Sequence, residues 1–124
     1  MPAMPVRKVL HVDDDESVLR TVARYLAGKG IEVTSTTSPF IAPIVSAERP
    51  DVVVMDLDMP LLAGDKIVSI MRTHDFSTIP VVFFSGKPES RLATIVATLP
   101  GSTYVLKSAG LEALLAKITE VAAR

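Results

Sequence analysis

A run of three aspartates, Asp13, Asp14 and Asp15, stands near the start of this 124-residue chain, and a second acidic pair, Asp56 and Asp58, lies further on. Ser85 adds a hydroxyl and Lys107 adds an ammonium. Each of these groups directly follows a short apolar run. If the runs are parallel strands of one sheet, their carboxyl ends share an edge, which is where ligands of such sheets bind. Asp13 and Lys107, distant in sequence, then become neighbours in an acidic pocket with one lysine. Carboxylates crowded this way repel, and their joint ionisation is tolerated only if a cation joins them or their pKa values rise. Oxygen ligands without histidine or cysteine favour Mg²⁺, which keeps several waters and takes one or two carboxylates plus a phosphate oxygen. A metal-bound carboxylate, a hydroxyl and a lysine can together hold a phosphoryl group, and an aspartate among them can act as nucleophile to form an aspartyl phosphate.

The elements that must position these residues follow from periodicity. Val6 to Val12 reads as a first strand, followed by a helix over Ser17 to Ala27 whose Val18, Leu19, Val22 and Leu26 share a face. Asp15 is placed to cap that helix, and Gly28 and Gly30 to end it. Ile31 to Thr36 is a β-branched strand. Ser38 and Pro39 then offer a cap and first-turn proline for a second helix, which Pro43 is expected to bend or shorten. Val52 to Met55 and Val81 to Phe84 are continuously apolar strands, as expected for burial on both faces. Helices over Asp65 to Arg72, about Glu89 to Ala97 and about Leu111 to Ala122 separate and follow the later strands. Their inward residues are Ile67, Ile70 and Met71, then Leu92, Ile95 and Val96, then Leu111, Leu114, Leu115, Ile118 and Val121. Ser102 to Leu106 is the fifth strand. Strands joined through helices must run parallel, so the expected class is α/β, a three-layer sandwich with helices on both faces of a five-stranded sheet.

Composition sets the outer bounds. The chain is 48% hydrophobic and 22% charged, enough apolar material for one packed core over residues 1–124 and far from the disordered class. Its formal net charge is -1 with scattered basic residues, which argues against direct nucleic-acid binding. It has no cysteine, excluding a disulfide scaffold or thiolate site and fitting a reducing, cytoplasmic setting. No apolar run approaches the roughly 20 residues of a membrane span, so no membrane insertion is expected.

Val12-Asp13-Asp14-Asp15, Met55-Asp56-Leu57-Asp58-Met59-Pro60 with Gly64 beyond, Ser85-Gly86, and Gly101 through Tyr104 to Lys107 resemble, in order, the motifs of response-regulator receiver domains. The match spans nearly the whole chain, and four motifs in register at βα spacing are specific where each alone is weak. The resemblance implies a flavodoxin-like sheet of order 2-1-3-4-5 and a phosphoacceptor module of two-component signalling, not an enzyme with its own substrate. Asp56 would take the phosphoryl group from a sensor histidine kinase or phosphotransfer protein. Asp14 and Asp56 would ligate Mg²⁺ through carboxylates, Asp58 through its backbone carbonyl and Asp13 mainly through a water. Lys107 would neutralise phosphoryl charge, Ser85 would hydrogen-bond a phosphoryl oxygen, and Tyr104 would swing inward to reshape the face of the fourth helix, fifth strand and fifth helix. That face would meet a downstream protein target, and the domain would be a monomer or weak dimer. Asp58 and Lys87 would flank the mouth of the pocket as an ion pair that tunes access and phosphoryl lifetime. No output domain is expected within these 124 residues, which would suit a free-standing regulator or one part of a longer protein.

Two departures stand out. Ser108 replaces the proline common after the lysine, and a cis Lys107–Ser108 bond would cost about 3 kcal/mol. Ser85 and Gly86 replace the more frequent threonine and alanine, and the glycine should loosen the switch loop. Plainer roles compete at several positions: Asp15 as a helix cap, Ser85 as a loop cap, Tyr104 as a fixed core aromatic, His11 packed inside its strand and His74 in an exposed loop. Two other functions compete as well. Val52 to Asp58 resembles the strand and Asp-x-Asp of haloacid-dehalogenase phosphohydrolases, although that motif should lie on the first strand and the chain lacks room for a cap. A receiver relative that docks without being phosphorylated is the other.

Overall fold

The computed structural model describes residues 6–57, 64–71 and 78–123. Its strands are β1 (Lys8–Val12), β2 (Glu32–Thr36), β3 (Val52–Met55), β4 (Val81–Ser85) and β5 (Ser102–Leu106). Its helices are α1 (Glu16–Ala27), α2 (Ala42–Glu48), α3 (Gly64–Met71), α4 (Glu89–Ala97) and α5 (Leu111–Ala122). The five strands form one parallel sheet in the order β2-β1-β3-β4-β5, the order the resemblance implies. Side chains alternate across it. Leu10, Val12, Val53, Met55, Val81 and Phe83 pack with Val45 of α2, Ile67 and Val68 of α3 and Leu92 of α4. Val9, Val52, Val54, Val82, Phe84 and Val105 pack with Val22 and Leu26 of α1 and Leu114, Ile118 and Val121 of α5. The period of two along each strand thus sends alternate residues into two apolar layers, which is why β3 and β4 read as unbroken apolar runs.

Local rules account for most element boundaries. Asp15 caps α1 as expected, its Oδ1 accepting the backbone N–H groups of Ser17 at 2.9 Å and Val18 at 3.4 Å. The second helix departs from expectation: it begins at Ala42, and Pro43 lies in its first turn, where its missing N–H leaves no bond unmade. Pro43 therefore starts this helix and does not bend it; the Ser38 hydroxyl accepts the Phe40 N–H in the preceding loop. β1 begins at Lys8, two residues later than the apolar pattern suggests, although Val6 still joins the core. The side chains of Ile70 and Met71 lie outside the described residues, as does His74. Leu92 is fully buried, while Ile95 and Val96 are half-buried against the same core. Among the described residues no helix is long and apolar enough to cross a membrane.

Candidate functional site: an acidic pocket with one lysine

Parallel pairing brings the strand ends together. Asp13 leaves β1 with its N–H bonded to the Thr36 carbonyl at 3.2 Å, and Asp56 leaves β3 with its N–H bonded to the Val12 carbonyl at 3.0 Å. These backbone bonds fix the two aspartates side by side. Asp13 is fully buried and Asp56 nearly so, whereas Asp14 is exposed. One carboxylate oxygen from each of Asp13, Asp14 and Asp56 lies within 4.8 Å of the other two, a spacing that a single metal ion could bridge. The donors are all carboxylate oxygens, which suits a hard divalent cation. Asp58, expected to add a backbone carbonyl, lies outside the described residues.

Lys107 arrives from the end of β5. Its Nζ is 3.0 Å from Asp13 Oδ2 and 3.7 Å from Asp56 Oδ2, so one ammonium serves two carboxylates. Burial disfavours its charge, but the Asp13 and Asp56 carboxylates outweigh that and hold its pKa above the ordinary lysine value. The lysine is therefore a fixed positive charge at neutral pH. The Lys107–Ser108 peptide is trans. Lys107 opens a single 3-10 turn over Lys107–Ala109, closed by the Gly110 N–H on the Lys107 carbonyl at 3.2 Å. Gly110 follows with φ 92°, a backbone shape open to glycine, and delivers the chain into α5. Serine in place of proline is thus accommodated with the ammonium in the pocket.

Ser85 ends β4 fully buried, paired in register with Leu106 just before the lysine. Its hydroxyl accepts the Lys87 N–H at 3.3 Å, so the loop-cap role is present here. The Asp58–Lys87 pair lies outside the described residues on its Asp58 side. Tyr104 is half-buried and its hydroxyl points outward, donating to Glu89 Oε2 at 3.0 Å. That bond favours the neutral phenol and raises the Tyr104 pKa. Glu89 was not among the expected site residues; its place in the first turn of α4, four residues beyond Ser85, was the available signal. His11 was expected only to pack within its strand, and it is fully buried there, but its Nε2 also lies 4.0 Å from Asp13 Oδ2. Strand alternation could have shown this, because residues two apart share a face.

With this geometry in view, comparison with known proteins is decisive about family. The profile described as Response regulator receiver domain matches residues 9–119, and the chain belongs to that family. Among curated relatives, the transcriptional regulatory protein PrrA of Mycobacterium tuberculosis is 33% identical over 114 residues, covering 90% of this chain and 48% of PrrA. The CAI-1 autoinducer sensor kinase/phosphatase CqsS of Vibrio cholerae is 26% identical over 115 residues, covering 90% of this chain and 17% of CqsS. The chain thus spans less than half the length of these relatives. Among solved structures, the Vibrio cholerae chemotaxis protein CheY4 superposes with a TM-score of 0.85 at 24% identity, covering 94% of this chain and 99% of that one, which shows the shared fold.

Proposed function

We propose that this receiver domain is a phosphorylated switch whose acceptor is Asp56. A phosphohistidine of a sensor kinase or phosphotransfer protein is the donor: its N–P bond breaks, a bond forms between Asp56 oxygen and phosphorus, and the released imidazole takes up a proton. The observation that carries this reading is the lysine between two carboxylates, with Lys107 Nζ 3.0 Å from Asp13 and 3.7 Å from Asp56. An ammonium there is placed to neutralise oxygens of a group attached to Asp56. Asp14 and Asp56 would hold Mg²⁺ through their carboxylates, Asp58 through its backbone carbonyl and Asp13 mainly through a water. When bound, the ion neutralises phosphoryl charge that three carboxylates would otherwise repel. Ser85 supplies a hydrogen bond to a phosphoryl oxygen, its O–H donating while its Oγ can go on accepting the Lys87 N–H. Tyr104 then moves inward from Glu89, changing the surface of α4, β5 and α5 that meets a downstream protein. Asp58 and Lys87 tune access to the pocket.

Receiver domains of this family work with histidine kinases and downstream effectors. Intact mass after incubation with acetyl phosphate and Mg²⁺ tests the reading. A phosphoryl adduct that needs the metal and disappears in Asp56→Asn is expected. No adduct under any condition would overturn it in favour of a docking module.

A further inference from the structure

β1 carries a buried histidine that the phosphoacceptor reading does not use. His11 sits two residues before Asp13, between Leu10 and Val12, in a strand whose other core positions are aliphatic. Its side chain is fully buried, and neither ring nitrogen reaches a protein hydrogen-bond partner. Asp13 Oδ2, 4.0 Å from His11 Nε2, is buried as well and makes no bond of hydrogen-bond geometry. Lys107 Nζ approaches that oxygen at 3.0 Å, but as an ion pair. The other oxygen, Oδ1, is committed to the Asp15 N–H at 2.9 Å. The buried His11 ring is thus left without a hydrogen bond beside an Asp13 oxygen held only by the Lys107 ion pair, and such a group calls for a reason.

We propose that His11 is a positioning residue for Asp13: when Lys107 turns from Asp13 towards a phosphoryl group on Asp56, the His11 Nε2–H becomes the donor to Asp13 Oδ2. The inference rests on the phosphoacceptor reading. Without a replacement, the buried Asp13 Oδ2 would lose its nearest positive partner, and the carboxylate would be held towards the metal cluster only through Oδ1 and the Asp15 N–H. The ring need advance only about 1 Å to reach an N–H···O distance near 3 Å. A hydrogen bond behind a metal-directed carboxylate orients that ligand, as outer partners of metal sites generally do.

Imidazole ¹⁵N–¹H correlation spectra of the 124-residue protein, recorded free, with Mg²⁺, and with Mg²⁺ plus beryllofluoride as the phosphoryl mimic, test the proposal. The expected result is an Nε2–H tautomer whose proton moves downfield and exchanges more slowly only in the beryllofluoride state. In parallel, His11→Leu should shorten the lifetime of the acetyl-phosphate adduct several-fold, while His11→Gln, whose amide stands near the Nε2 position, should restore most of it. An Nδ1–H tautomer, an unmoved Nε2 proton in the loaded wild type, or equal adduct lifetimes in all three proteins would overturn the role of His11. Absence of any adduct in the wild type would instead remove the reading on which it rests.

Discussion

Replacing Asp14 by asparagine probes the acidic cluster directly. Asp14 brings a carboxylate oxygen within 4.8 Å of both Asp13 and Asp56, and no ion pair ties it to Lys107. Two unit charges at that separation repel by about 0.9 kcal/mol in bulk water and about 3.5 kcal/mol at an effective dielectric of 20. Asp14 is exposed, so the lower figure governs, and two such pairs, partly offset by the lysine, leave a net repulsion of about 1 kcal/mol. In EDTA and low salt, Asp14→Asn should therefore be more stable than wild type by about 1 kcal/mol, or roughly 3–5 °C in Tm for a domain of this size. Mg²⁺ should reverse the order. A ligand at 100 times its Kd stabilises by about 2.7 kcal/mol, and the variant, with one carboxylate fewer, should capture much less of that. Urea unfolding with EDTA and with Mg²⁺ measures all four stabilities. A variant no more stable than wild type in EDTA, or one that responds equally to Mg²⁺, would refute the picture of three carboxylates awaiting a cation.

Other outcomes follow from the same structure. The His11 pKa is lowered from 6.5 to about 4 in the folded protein, so as pH falls through that window the unfolded chain binds a proton that the native state does not. In EDTA this component of stability, about 3 kcal/mol, should be present above pH 6.5 and lost by about pH 4, and urea titrations of His11→Leu should show a correspondingly shallower acid limb. Leu92→Ala removes a fully buried α4 side chain and should cost about 2–5 kcal/mol by urea unfolding, whereas Phe40→Ala, 69% exposed, should stay within about 0.5 kcal/mol. Glu89→Gln removes the charged acceptor on the Tyr104 hydroxyl, so absorbance titration should find that phenol ionising at lower pH than in wild type; an unchanged curve would deny the bond.

The sheet was legible because its signal is redundant: apolar runs of strand length, helical stripes between them and acidic or basic groups after them all point to one parallel arrangement. The site followed from the same logic, since strand ends in a parallel sheet share an edge. The bend expected at Pro43 is absent and the helix is short, seven residues with Pro43 in its first turn, because a proline reads alike as a helix breaker and as a first-turn residue and the choice depends on where the loop from Ser38 ends. Contacts between side chains were less visible. Nothing in a sequence says that Tyr104 reaches Glu89, since that depends on the rotation of α4 over β5. The approach of His11 to Asp13 was readable in part: alternation puts them on one face, but the 4.0 Å spacing and the lack of other partners are set by packing. That Lys107 stands at the end of β5 beside Asp13 follows from the shared strand edge, while its trans link to Ser108 has no counterpart in the sequence pattern.

On the proposed reading, Asp56 carries the phosphoryl group. Borohydride reduction of the protein after acetyl phosphate and Mg²⁺ treatment, followed by tandem mass spectrometry, tests it most directly, because an acyl phosphate is reduced to an alcohol while a free carboxylate is not. Homoserine at position 56, found only when phosphodonor and metal are both present, is the predicted result. Homoserine at position 13 or 14, or at none, would contradict the account.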